Sequence, residues 1–122
     1  MLVKTFGSAI IGVNAVMVTV EVNVCDGVGF SMVGLPDSAV KESTQRIFSA
    51  FEQSECRMSN KKVIINLAPA DLKKEGAAYD LPIAVGLLAA MGHIEHADLD
   101  RYVIMGELSL DGSLRPIKGV LP

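Results

Sequence analysis

The clearest pattern in the chain is an alternation of period two, in which Val16, Val18, Val20, Val22 and Val24 are separated by Met17, Thr19, Glu21 and Asn23. Successive side chains of a strand point to opposite faces, so this stretch predicts a strand with one apolar and one more polar face. Phe6–Ile11 reads as a strand leading into it across Gly12. Asp26-Gly27 is a turn signal, and Phe30–Val33 is expected to return as the second strand of a hairpin. Gly34-Leu35-Pro36 stops extended structure.

The period then changes. Asp37 or Ser38 is placed to cap a helix running to about Ser54, with Val40, Ile47, Phe48 and Phe51 as its buried stripe. Lys41, Glu42, Arg46 and Glu52 are expected to face outward, with Glu42 and Arg46 in the order that favours a weak surface pair. A polar loop, Glu55–Asn60, leads into a strand over Lys61–Leu67. Asp80 is expected to cap a second helix, with Pro82 in its first turn and Gly92 at its end. Residues 83–91 are apolar nearly all round, which predicts burial on several sides. Tyr102–Glu107 and Leu114–Ile117 read as a second hairpin around Asp111-Gly112. Strands lead, then strands and helices mix without regular alternation, so the class is α+β. The expected core includes Val40, Ile47, Phe51, Ile65, Val85 and Leu88.

A chain of 122 residues, half of them hydrophobic, forms one domain, residues 1–122, with a core that needs no disulfides. The longest apolar run, Leu81–Met91, is well short of the roughly 20 residues that span a bilayer, and no leader opens the chain. A cytoplasmic location without membrane contact is the expectation. The polar linker usual at a domain boundary is missing at Gly119–Pro122, which reads as a cut from a longer protein.

The candidate chemistry is sparse. There is no Gly-x-x-x-x-Gly-Lys-Ser/Thr loop to cradle a nucleotide phosphate, and Gly27-Val28-Gly29 reads as turn glycines. His93 and His96 flank Glu95, with Asp98 beyond, but they follow a helix-ending glycine and predict no metal site. Cys25 and Cys56 lack both ligand spacing and a disulfide framework. Lys118 with Ser109 or Ser113 has the residue types of a serine–lysine nucleophile, although serines beside Asp111-Gly112 more commonly serve turns. The net charge of −3 gives no general attraction to nucleic acid. Arg57, Lys61, Lys62, Lys73 and Lys74 are therefore the only candidate DNA contacts, and lysines flanking a strand also protect edges.

Three stretches carry a resemblance: Val33–Ser43 (VGLPDSAVKES), Asn66–Gly76 (NLAPADLKKEG) and Gly106–Pro116 (GELSLDGSLRP). Together they resemble the start of the YifB/ComM family of magnesium-chelatase-related ATPases, over essentially the whole chain. The resemblance implies a domain with the fold of the Lon protease catalytic domain, a ribosomal-protein-S5-domain-2-like unit. That fold would lack its last helix–strand segment here. It also implies an AAA+ ATPase domain following in the same polypeptide, with ATP and magnesium bound there and no cofactor in this chain. The parent is implied to be a hexamer that drives DNA branch migration in recombination or natural transformation. Lon enzymes set their nucleophilic serine two positions after a Lys-Asp-Gly. Lys74-Glu75-Gly76-Ala77-Ala78 is similar to that turn, which puts Ala78 at the nucleophile position. Pro116–Val120 is similar to the run before the Lon lysine, which puts Leu121 at the lysine position. The resemblance thus implies a non-catalytic assembly and regulatory domain. A divergent peptidase and a metal-insertion accessory are the rival readings.

Overall fold

A long hairpin organises the computed structural model, which describes residues 1–56 and 60–115. Strand β1 (Leu2–Ile11) turns at Gly12 and pairs antiparallel with β2 (Asn14–Asp26), from Leu2↔Asn23 to Ile11↔Asn14. Strand β4 (Lys61–Ala68) lies antiparallel along the other side of β2, and β3 (Gly29–Val33) lies parallel to β4 at the far edge. The order is β1-β2-β4-β3. The expected β2–β3 hairpin is therefore corrected: the return strand is displaced by one place, with β4 inserted between. The burial pattern of β4 supplies the reason. Val63, Ile65 and Leu67 are all buried, and a central place covers that row from both sides, where an edge would leave it half open.

Helices cover one face. Asp37 caps the first, its Oδ1 accepting from Val40 N at 2.8 Å. The single helix predicted to Ser54 is two, α1 (Ser38–Lys41) and α2 (Ser43–Gln53), broken at Glu42. Helix α3 (Asp80–Ala90) follows a 3-10 turn, Ala77–Tyr79. Its C-terminus closes as predicted: Gly92, at φ +82°, lets His93 N reach Leu88 O (2.8 Å) while Gly92 N bonds Ala89 O (3.1 Å). Gly86 brings α3 close to the sheet, where an added Cβ would lie 2.7 Å from Val22 Cγ2. Val18, Val20 and Val22 of β2, Ile65 and Leu67 of β4 and Leu87 of α3 form the centre of the core.

Several side chains differ from expectation. Val85 and Leu88 are half-buried, on the side of α3 turned from the sheet, while Ile83 and Leu87 are buried. Phe48 is partly exposed and stacks edge-on against Phe30, with ring centroids 5.4 Å apart, at the rim instead of in the core. The second hairpin is shorter than predicted. Among the described residues only β5 (Glu107–Leu108) and β6 (Leu114–Arg115) pair there, and Ile117 lies outside them. Tyr102–Gly106 forms no ladder because its backbone serves two different elements: Ile104 N bonds Phe6 O on β1, and Gly106 N bonds Ala78 O. No helix is long and apolar enough to cross a membrane among the described residues.

Candidate functional site

The three motif stretches converge at one corner of the molecule. Lys74 N donates to Leu35 O and Asp37 N donates to Lys74 O, both at 2.9 Å, which zips the first stretch to the second. Asp37 spends both carboxylate oxygens there, Oδ1 on the α1 cap and Oδ2 on Gly76 N (3.2 Å). Gly34 is required by this junction: its φ is +105°, and an added Cβ would lie 2.0 Å from Leu67 O. The third stretch is bound through the start of α3, by Gly106 N to Ala78 O (2.7 Å) and Leu81 N to Gly106 O (3.0 Å).

An ion pair lies beneath the junction. Arg46, expected to face outward, turns inward from α2, its Nε 2.6 Å from Asp80 Oδ2 and its Nη2 2.9 Å from Asp80 Oδ1. Asp80 is fully buried and also accepts from Leu108 N at 3.0 Å, while Arg46 Nη2 holds Ala39 O. Asp80 is the first residue of α3 and does not cap it. Its carboxylate instead joins α2, α3 and β5, because a buried carboxylate is held most firmly by a bidentate guanidinium and a backbone N–H together. The Asp80 hydrogen bond raises the Arg46 pKa further above its ordinary value, against the opposing effect of burial. Arg46 and Asp80 were legible in the sequence only as surface charge and helix cap.

The corner opens into a groove of about 750 Å3. One wall is the outer part of β1, Ser8–Ile11, and the other is Leu72–Tyr79 without Lys74, with Met105 and Glu107 closing the end. Ala78, the residue at the resemblance-implied nucleophile position, lines this groove and offers only a methyl group to it. Tyr79 donates its hydroxyl to Ser8 O (3.1 Å), and burial, aided by Asp37, pushes its pKa up to about 12. Tyr79 thus keeps its proton near neutral pH and acts as a donor, not as a base. Lys73 and Glu75 reach each other across 3.9 Å at the exposed rim.

The basic residues do not assemble as one patch. Lys74 is fully buried, its ammonium bonded to Pro69 O, so it is corrected from a surface contact to an internal tie. Desolvation lowers its pKa, partly countered by Asp71. Lys61 lies 3.4 Å from Asp26, and it and exposed Lys62 begin β4. Lys73 follows the other end of that strand, roughly 25 Å away along eight residues of extended chain. Arg57, like Lys118 and Leu121, lies outside the described residues.

The remaining candidates occupy turns. Ser113 N and Oγ both bond Asp111 Oδ1, at 2.9 and 2.7 Å, and these bonds hold the Asp111 carboxyl below its ordinary range. That hydroxyl serves the turn, and Ser109 N bonds Ser113 O across it. His93 and His96 line a shallow pocket of about 360 Å3 beside Met1, and no group of three or more metal-ligating side chains occurs among the described residues. Both cysteines are free thiols.

Comparison with known proteins places the same stretches in a family. Residues 20–122 match the family model described as subunit ChlI of Mg-chelatase. The chain is 50% identical over 114 residues to the uncharacterized protein YifB of Escherichia coli K12, which covers 93% of this chain and 22% of that protein. It is 43% identical over 118 residues to the competence protein ComM of Haemophilus influenzae, covering 96% of this chain and 23% of that protein. A Mycobacterium tuberculosis relative, the uncharacterized protein Rv2897c, is 35% identical over 120 residues. The chain spans between a fifth and a quarter of the length of these relatives.

Proposed function

The chain belongs to the family of subunit ChlI of Mg-chelatase, and on that premise we propose that it is a Lon-protease-like, S5-domain-2-like assembly and regulatory domain at the N-terminus of a larger AAA+ ATPase. One observation carries the non-catalytic part of this reading. The family motifs converge on a groove, and Ala78, which the Lon resemblance puts at the nucleophile position, lines it. A covalent mechanism needs a nucleophile with a base held beside it. The corner instead commits Asp37, Asp80 and Lys74 to internal hydrogen bonds, and Tyr79 retains its proton.

In this reading ATP and magnesium bind elsewhere in a longer polypeptide, which assembles as a hexameric ring in the cytoplasm. The relative named as a competence protein supports a role in natural transformation, and DNA branch migration in recombination or transformation is the activity proposed for the longer protein. This domain would join neighbouring subunits or report their state, and of the candidate DNA contacts Lys61, Lys62 and Lys73 are exposed. The test is a longer polypeptide containing this chain, compared with the same protein lacking residues 1–122. The expected result is loss of ring assembly or of DNA-stimulated ATP hydrolysis on deletion, with no labelling of the intact domain by a fluorophosphonate. Full retention of both properties overturns the assembly role, and labelling of Ser109 or Ser113 revives the peptidase reading. The family description itself favours a second reading, a metal-insertion accessory. Tight binding of magnesium or a porphyrin by this chain would support it over the first.

A further inference from the structure

On the outer edge of β1 a thioether stands where a sheet would place a carbonyl oxygen. Met1 and Val24 exchange both backbone hydrogen bonds, so odd-numbered residues of β1 bond across to β2 and even-numbered ones face outward. Phe6 O accepts there from Ile104 N at 2.7 Å. Two residues on, Ser8 O accepts from the Tyr79 hydroxyl at 3.1 Å, and Ser8 N donates to Met105 Sδ at 3.4 Å. Residues 102–106 are therefore tied to β1 by one backbone bond and one bond to sulfur, which is a weak acceptor.

The sulfur is hemmed in on a second side. A Cβ added at Gly7 would lie 2.9 Å from Met105 Sδ, so the missing side chain of Gly7 is what makes room for the thioether. Met105 packs against the core and also lines the end of the groove of about 750 Å3. A small solute in the groove reaches this side chain without unfolding the chain. Among the described residues Met105 is the methionine whose sulfur accepts a hydrogen bond, whereas the side chains of Met1 and Met17 are exposed.

We propose that Met105 is an oxidation site, at which a hydroperoxide entering the groove converts the thioether to the sulfoxide and releases residues 102–106 from β1. A sulfur lone pair attacks one peroxide oxygen and the O–O bond breaks. Sulfur gains that oxygen and is oxidised by two electrons. The oxygen's proton passes to the leaving oxygen, so hydrogen peroxide ends as water and an alkyl hydroperoxide as an alcohol. The product does not fit the present packing. An N–H···O bond alone takes about 2.9 Å, so an oxygen bonded to Sδ cannot enter the 3.4 Å line to Ser8 N. On the Gly7 side the sulfur already lies within the space of a Cβ. Ser8 N thus loses its acceptor, and the adjoining Ile104–Phe6 bond loses its neighbour. The thioether is restored by reduction, which makes the change reversible. The inference stands on Met105 and the edge of β1 and does not rest on the ATPase reading.

The test is dilute hydrogen peroxide on the full 122-residue chain, with peptide mapping by mass spectrometry and amide hydrogen exchange as readouts. Met105 should be converted in the folded chain, more slowly than exposed Met1 and Met17. Protection of the Ser8 and Ile104 amides should then fall by about tenfold or more, as expected for the loss of a partly buried donor's partner. The Met105→Leu chain, given the same peroxide, should keep whatever protection it had before treatment. Methionine sulfoxide reductases for both epimers should return the treated wild-type chain to its starting protection, a readout that needs no variant to fold. Conversion of Met105 only after unfolding in urea overturns the proposal. So does unchanged protection with Met105 fully converted, or an equal loss in Met105→Leu, which would assign the effect to another methionine. Protection that stays low after Met105 has been reduced back overturns it as well.

Discussion

The motif corner and the two-stranded end of the β1–β2 hairpin beyond Thr19↔Ala68 (residues 7–18, here the arm) lie on either side of one groove and are built in opposite ways. In the corner almost every polar group has a partner. Asp37 bonds two segments, Asp80 joins three elements and Lys74 holds a carbonyl beneath the surface. The arm has no charged side chain at all and exposes Ile10, Ile11, Val13 and Met17. The difference teaches where the family's polar residues are used: they fix the shape of one groove wall, and the opposite wall is left to be completed by packing. A catalytic site would show the reverse, with polar groups unspent and directed into the groove.

The sharpest break of that contrast is Asp80→Ala. It leaves the inward-turned Arg46 guanidinium and the Leu108 N–H without their partner, and should cost about 3 kcal/mol, the lower part of the range for breaking a buried pair because Arg46 retains some solvent contact. Urea denaturation measures it. Asp80→Asn keeps an acceptor for Leu108 N and should recover part of the loss. A cost under half a kilocalorie would show that the corner is not held by this pair.

The next effect is one of pH. Tyr79 has its pKa raised from 10.0 to about 12 by burial. The unfolded chain therefore loses this proton first as pH rises. The contribution is fully present below about pH 10 and is lost between about 10 and 12, at most about 3 kcal/mol. Lys74 acts with the opposite sign, since its lowered pKa makes folding easier as pH climbs toward the ordinary lysine value. Comparison with Tyr79→Phe across this window isolates the phenol, and the variant should lack the decline. Asp37→Ala is expected to be smaller, at about 1–2 kcal/mol, for the loss of one helix cap and of the Gly76 tie. If Asp37→Ala proved harmless, the first and second motifs would be joined by the backbone zip alone.

The two regions were not equally legible in the sequence. Local rules found β2 from its period of two, the α1 cap from Asp37 and the end of α3 from Gly92, because each is decided within a few residues. Ala78 was singled out by the family resemblance alone, since no local rule distinguishes it from any other alanine. The placement of β3 beyond β4 was hidden, since parallel pairing joins Phe30 to Val63 across a crossover that contains α1 and α2 and has no turn signal of its own. Arg46 and Lys74 were misjudged for one reason. A charged residue on a helix or beside other lysines looks solvated until its partner, Asp80 or Pro69 O, is brought up from 34 or 5 residues away. The arm was read as ordinary strand because its missing neighbour is a fact of sheet topology.

The smallest expected effect tests the arm's side of the contrast. Val13→Asp changes a side chain that touches almost nothing in its own chain, so the stability of the dilute monomer should move by less than about 0.5 kcal/mol. A Val13→Asp variant destabilised by more than about 1 kcal/mol would mean that the arm packs within its own chain, and the contrast between the groove's two walls would fall.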